Sequence, residues 1–182
     1  MHPSERDHVQ LVLTLPGTGG EVLYGRRTRL TMGVLVELFT HASWSVVLGA
    51  PFMQWGHGLS SGPLAIAANA ALKRGISVDI LGTEHGLSSI NLSSLRDGAA
   101  GSLRLWVAAE AATESSKLGF HAKFCLADES DAYIGSANFT GPGLESQLEI
   151  GVLVSGPIAR QVREVWEVAC SSGFVIPFDP SG

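Results

Sequence analysis

From His121 to Asn138 the chain reads HAKFCLADESDAYIGSAN, which fits the spacing H-x-K-x4-D-x6-G-S-x-N without a gap. No other stretch constrains the fold as tightly. The run from Phe120 to Leu126 is apolar, as is Ala132 to Ile134, and Asp128, Glu129, Ser130 and Asp131 lie between them. Two apolar runs around a short polar cluster predict a β-hairpin. With Glu129 and Ser130 as a two-residue loop, Asp128 pairs with Asp131. His121 then lies opposite Asn138, and Lys123 opposite Ser136. Side chains two apart share a face of a strand, so all four groups are expected to emerge together at one end. An ammonium, an amide and a hydroxyl around an imidazole make an anion site. A nucleophile, a cation and two hydrogen-bonding side chains are also the groups needed to cut a phosphodiester without a metal. The motif occurs once, whereas that chemistry wants two histidines.

The same hairpin separates Asp128 from the chemistry. It sits at the turn, roughly 20 Å from His121 at about 3.3 Å per strand residue. Its expected task is to shape the turn or to pair with a cation at the far end. Glu149 is the better-placed carboxylate. It falls in a strand-like run, Gln147 to Val154, among Leu148, Ile150, Val152 and Val154, and a charge in so apolar a strand needs a partner. His121 is the expected one, since a carboxylate on one ring nitrogen fixes the tautomer of the other.

His121, Lys123, Asp128, Gly135, Ser136, Asn138 and Glu149 together resemble the phospholipase D superfamily, and more closely its small single-motif nucleases. The tight resemblance covers Gly119 to Val154; the rest of the chain agrees only in pattern. It implies a mixed β-sheet sandwiched between helix layers, a phosphohistidine intermediate, no metal or other cofactor, and a site assembled from two motifs about a two-fold axis. By that resemblance His121 is the nucleophile, and its mate on a second copy is the general acid. Lys123 and Asn138 hold phosphate oxygens, Ser136 assists, Glu149 orients a histidine, and Asp128 and Gly135 are structural members of the motif. This is covalent catalysis in two displacements, inside a preorganised cradle of donors.

With 182 residues and 45% hydrophobic content, the expected unit is one compact domain over 1–182 with an ample core. That length leaves no room for a second motif. His57 (WGHGLSS) and His85 (TEHGLSS) begin similar strings, but neither is followed by a lysine at the right step. Each either lines the site or binds substrate, or is a loop histidine in a glycine-rich turn. Elsewhere strands and helices alternate. Strands are expected over Val9 to Leu15, Trp44 to Leu48, Ile76 to Leu81 and Ser102 to Val107. Helices are expected over Leu30 to Ala42, Gly62 to Arg74, Ile90 to Arg96 and Pro157 to Cys170. The pattern argues a layered α/β fold, and its continuously apolar strands argue a sheet buried on both faces.

Cys125 and Cys170 have neither metal nor disulfide spacing, and the six histidines are scattered, so no metal site is expected. The polar start MHPSERDHVQ and the lack of a long apolar run fit a cytoplasmic protein with no membrane partner. A net charge of −5 does not advertise nucleic-acid binding, which usually shows a basic face. Arg26, Arg27 and Arg29 form a local cationic patch. Dimerisation brings it beside the cleft, or it consists of ordinary solvated charges. Three readings follow. The first is a homodimeric phosphodiesterase cutting DNA or RNA at one shared site. The second is a lipid phosphodiesterase or phosphatidyl transferase. The third is a nucleic-acid-binding subunit beside partner proteins, because the LVLTLPG start and the SANFT…LEIGVLV ending resemble the phospholipase-D-like component of bacterial anti-phage systems.

Overall fold

The computed structural model describes residues 6–17, 28–53, 58–109 and 120–180. In chain order the elements are β1 (His8–Thr14), β2 (Thr28–Leu30), α1 (Thr31–His41), β3 (Ser45–Gly49), α2 (Gly62–Lys73) and β4 (Ser77–Leu81). They continue with α3 (Glu84–Ser88), α4 (Leu92–Arg96), β5 (Leu103–Ala108), β6 (Phe124–Ala127) and β7 (Asp131–Gly135). The last are α5 (Gly141–Glu145), β8 (Glu149–Ser155), α6 (Pro157–Ser171) and β9 (Val175–Pro177). Among the described residues the strands form one mixed sheet in the order β2-β1-β8-β7-β6-β3-β4-β5-β9. The trio β3-β4-β5 and the pair β2-β1 are parallel, while the pairs β1-β8, β8-β7, β7-β6, β6-β3 and β5-β9 are antiparallel.

Helices cover both faces, as expected, but unequally. On one face α1 presents Val34, Leu35, Leu38 and Phe39, and α2 presents Leu64, Ala67, Ala68, Ala71 and Leu72, to Cys125, Tyr133 and Leu153 of the sheet. The alanines of α2 allow the close packing seen between these two helices. On the other face α6 buries Ala159 and Trp166 against Leu126, Ala132 and Val154. Trp166 meets Trp106 edge-on, with ring centroids 5.6 Å apart.

That single long helix does not span the sheet. β3 is buried on both faces, as its unbroken apolar run predicts. The expectation of a doubly buried sheet fails at β1, β7 and β8. On the α6 face Leu11 pairs with Val152, Leu13 with Ile150, and Ile134 with Val152. There Leu11, Ile134 and Ile150 stay 43%, 38% and 55% exposed. The short edge strands β2 and β9 and the one-turn helices α3 and α5 were not foreseen. Such short pieces carry no periodicity to read, and Pro177 in β9 is tolerated because that strand lies at a sheet edge.

The hairpin forms, with a corrected register. Ala127 pairs with Asp131 and Phe124 with Ile134, so the turn holds three residues, Asp128, Glu129 and Ser130. Asp128 adopts a φ of 53°, a left-handed conformation that aspartate tolerates better than most residues. This lets the chain close one residue earlier than a two-residue loop would.

Candidate active site

The register shift changes who faces whom. Lys123 lies opposite Gly135, whose N–H donates to the Lys123 carbonyl at 3.0 Å, and not opposite Ser136. The ladder begins only at Phe124, so His121 and Lys123 precede the strand. The motif groups still gather at one end of the hairpin, but loop geometry places them rather than strand alternation.

His121 is exposed and Lys123 is buried, 6% accessible. The Lys123 ammonium donates to the His121 carbonyl at 3.0 Å and stands 3.1 and 3.0 Å from ring atoms Nδ1 and Nε2. Burial lowers the proton affinity of Lys123, and the nearby charge of Glu149 partly opposes that shift. The imidazole edge and the ammonium therefore form one compact unit at the surface.

Glu149 has a different partner from the one expected. The Ser136 hydroxyl donates to its Oε2, and no bond joins its carboxylate to His121 within the chain. Ser136 is stitched to the start of β8 twice more. Its N–H donates to the Ile150 carbonyl at 3.0 Å, and its Oγ accepts from the Ile150 N–H at 3.1 Å. The hydroxyl thus bridges the motif turn to the strand that carries the carboxylate. The reason lies in topology: β8 pairs directly with β7, which brings Glu149 beside the end of β7 rather than beside the segment before β6.

Asn138 is set between two fully buried residues, Ala137 and Phe139. A Cβ on Gly143 would fall 2.4 Å from the Asn138 carbonyl oxygen, so α5 backs directly onto the asparagine. Gly135 answers to a similar constraint, since its own Cβ would stand 2.3 Å from the Tyr133 hydroxyl. Asp128 lies at the opposite end of the hairpin. Its carboxylate accepts the N–H groups of Ser43, Trp44 and Ser45 at 2.8, 3.0 and 2.9 Å, so backbone amides rather than a cation take the charge.

His85 is exposed on α3, at the carboxyl end of β4. His57, Arg26 and Arg27 lie outside the described residues. Beside His121 opens a cavity of about 380 Å³, lined by His121 and Lys123 together with Phe120, Phe124, Ile134 and Trp166. Among the described residues no group of three or more His, Cys, Asp or Glu side chains is placed to hold a metal ion. Sequence reasoning missed Tyr133, Gly143 and Gly151. A glycine inside the strand pattern EIGVLV was the available signal, because it marks a close approach. In this case the neighbour is the Tyr133 ring, 2.6 Å from where the Gly151 Cβ would be.

The fold is similar to that of Nuc, a phospholipase D family member from Salmonella typhimurium. Identity is 18% over 95% of this chain and 99% of Nuc, with a TM-score of 0.63. NucT from Helicobacter pylori is similar at 13% identity over 94% of this chain and all of NucT, again with a TM-score of 0.63. The phosphatidylserine synthase of Haemophilus influenzae gives 14% identity and a TM-score of 0.66, but the chain spans only 40% of its length. No curated protein sequence matches. The family model described as "Cardiolipin synthase, PLD-like domain" matches residues 35–168. That match, the mixed sheet and the single gathered motif lead to one conclusion: the chain belongs to the phospholipase D superfamily, and its chemistry is that of a phosphodiesterase.

Proposed function

We propose that this protein is a metal-independent nuclease that hydrolyses DNA or RNA through a phosphohistidine intermediate, at a site shared by two copies. The observation that carries this reading is the solitary His121–Lys123 unit at the surface, bordered by a sheet face that α6 leaves uncovered. One histidine provides half of a two-step displacement. The exposed apolar face of β1, β7 and β8 suits isologous packing of a second copy. This chain matches 99% of Nuc and all of NucT, which supports a unit that carries one motif per chain.

In the first step a ring nitrogen of His121 attacks phosphorus, a P–N bond forms and a P–O bond breaks. The leaving oxygen takes a proton from the same histidine of the second copy. Water then attacks phosphorus, that second histidine accepts its proton, and the P–N bond breaks. Lys123 and the Asn138 amide hold the non-bridging oxygens, where loss of one donor costs on the order of 2–4 kcal/mol in the transition state. The Ser136–Glu149 pair fixes the turn between them.

A second reading, a lipid phosphodiesterase or phosphatidyl transferase, is favoured by the cavity beside His121, whose walls are almost wholly apolar. One experiment separates the two. Plasmid, single-stranded DNA, RNA and phosphatidyl-lipid vesicles are offered in excess EDTA to wild type and His121→Ala, and the oligomer's mass is recorded on the same samples. Cutting of nucleic acid by the wild-type dimer alone is the expected result. Full activity in His121→Ala would sink the mechanism. Lipid turnover alone would transfer the site to the second reading, and no turnover by a folded dimer would point to a subunit that works with defence partners.

A further inference from the structure

Beneath the turn from Gly135 to Asn138 lies a polar cluster that the mechanism above leaves unused. Tyr133 is fully buried on the α1 face of β7. Its ring passes under two glycines, since side chains on Gly135 or Gly151 would collide with it at 2.3 and 2.6 Å. The phenol therefore reaches the motif turn from inside, where the Ala137 backbone and the Thr31 hydroxyl stand beside it. Burial pushes its pKa up to about 12, so the hydroxyl keeps its proton across the working range. Tyr133 OH, Thr31 Oγ1 and Asn138 Oδ1 are all buried, and none makes a well-aligned hydrogen bond. The Tyr133 oxygen has the Ala137 backbone and Thr31 beside it, which leaves a hydroxyl proton of that pair for the buried Asn138 Oδ1, one residue further along the same turn. The orientation matters, because an amide whose oxygen points inward turns its NH2 outward.

We propose that Tyr133, with Thr31, is a positioning residue for Asn138: the buried hydroxyls hold the side-chain amide with its oxygen inward and present its NH2 to the phosphate. Asn138 presented the other way would aim a lone pair at an anion. The kinetic consequence rests on the phosphodiesterase reading, while the amide orientation is measured independently of it.

The test uses the full chain carrying Tyr133→Phe, which removes one oxygen and keeps the ring against the two glycines. Two readouts are taken: hydrolysis of a phosphodiester, and the Asn138 side-chain NH2 resonances, assigned by their loss in Asn138→Asp. The expected result is a fall in kcat of about tenfold, the size of one lost orienting hydrogen bond, with KM little changed and the Asn138 resonances displaced. Because the two residues act as one unit, adding Asn138→Ala should cost little more than Asn138→Ala alone. Wild-type turnover in Tyr133→Phe, additive losses, or unmoved resonances would each overturn the proposal. Should Tyr133→Phe fail to fold, Thr31→Val replaces a hydroxyl of the same cluster by a methyl, and additivity with Asn138→Ala there is equally fatal. If wild type hydrolyses nothing, the phosphodiesterase reading fails, and the resonances alone decide the orientation.

Discussion

At the scale of single residues, Lys123 is where burial and function meet. In the proposed mechanism it holds a phosphate oxygen only while protonated, and burial makes it release its proton below the ordinary lysine range. The alkaline limb of kcat/KM, which reports free-enzyme groups, is therefore expected below that range. The charge of Glu149 supports the protonated form, so Glu149→Gln should move the limb to still lower pH, whereas Lys123→Arg should move it up. A pH–rate series settles the matter, and a limb unmoved by Glu149→Gln would separate the carboxylate from Lys123. The motif residues were legible in the sequence because their chemistry is rare at that spacing. The Ser136–Glu149 contact was not, because it depends on which strand lies beside β7. Neither was Tyr133, whose single apolar-looking ring says nothing about where its oxygen ends.

At the scale of elements, the hairpin is fastened from behind. Three backbone N–H groups at the start of β3 converge on the Asp128 carboxylate, and the Asp128 carbonyl accepts from Arg163 of α6 at 3.2 Å. The turn thus ties the link between α1 and β3, and α6, to the hairpin. Asp128→Ala should cost about 2 kcal/mol of stability, from charge-assisted bonds that are partly open to water. Activity per folded molecule should largely persist. Urea titration beside a turnover assay checks both halves, and a stable variant with lost turnover would bring Asp128 into the chemistry. The existence of β6 and β7 could be read from two apolar runs, and the helices from their periodicity to within a residue or so at most ends. The register could not, because a left-handed aspartate and a two-residue loop look alike in letters.

At the scale of the whole molecule, coverage of the sheet is the decisive asymmetry. Alternation of strands and helices made the α/β class legible. It did not reveal that, among the described residues, α6 is the one long helix on its face, since the outer strands are as apolar as the central one. If that bare face joins two copies, Ile150→Asp should yield a folded monomer near 19.1 kDa that has lost turnover. Desolvating an unpaired carboxylate in an apolar contact is strongly unfavourable. Sedimentation and far-ultraviolet circular dichroism on the same sample provide the check. A dimeric, active Ile150→Asp would place the contact elsewhere.

The hairpin also gives the motif's arithmetic a mechanical meaning. The four residues between Lys123 and Asp128 are the whole of β6, and the six between Asp128 and Gly135 are the rest of the turn followed by β7 up to its last residue. The spacing is a ruler, cut so that the clamp at one end holds the reactive groups level at the other. One residue added to either arm would turn every side chain beyond it to the opposite face, with each chemical group still present and none of them aligned. Similarity of letters without this count should therefore mark chains that have kept the parts and lost the tool.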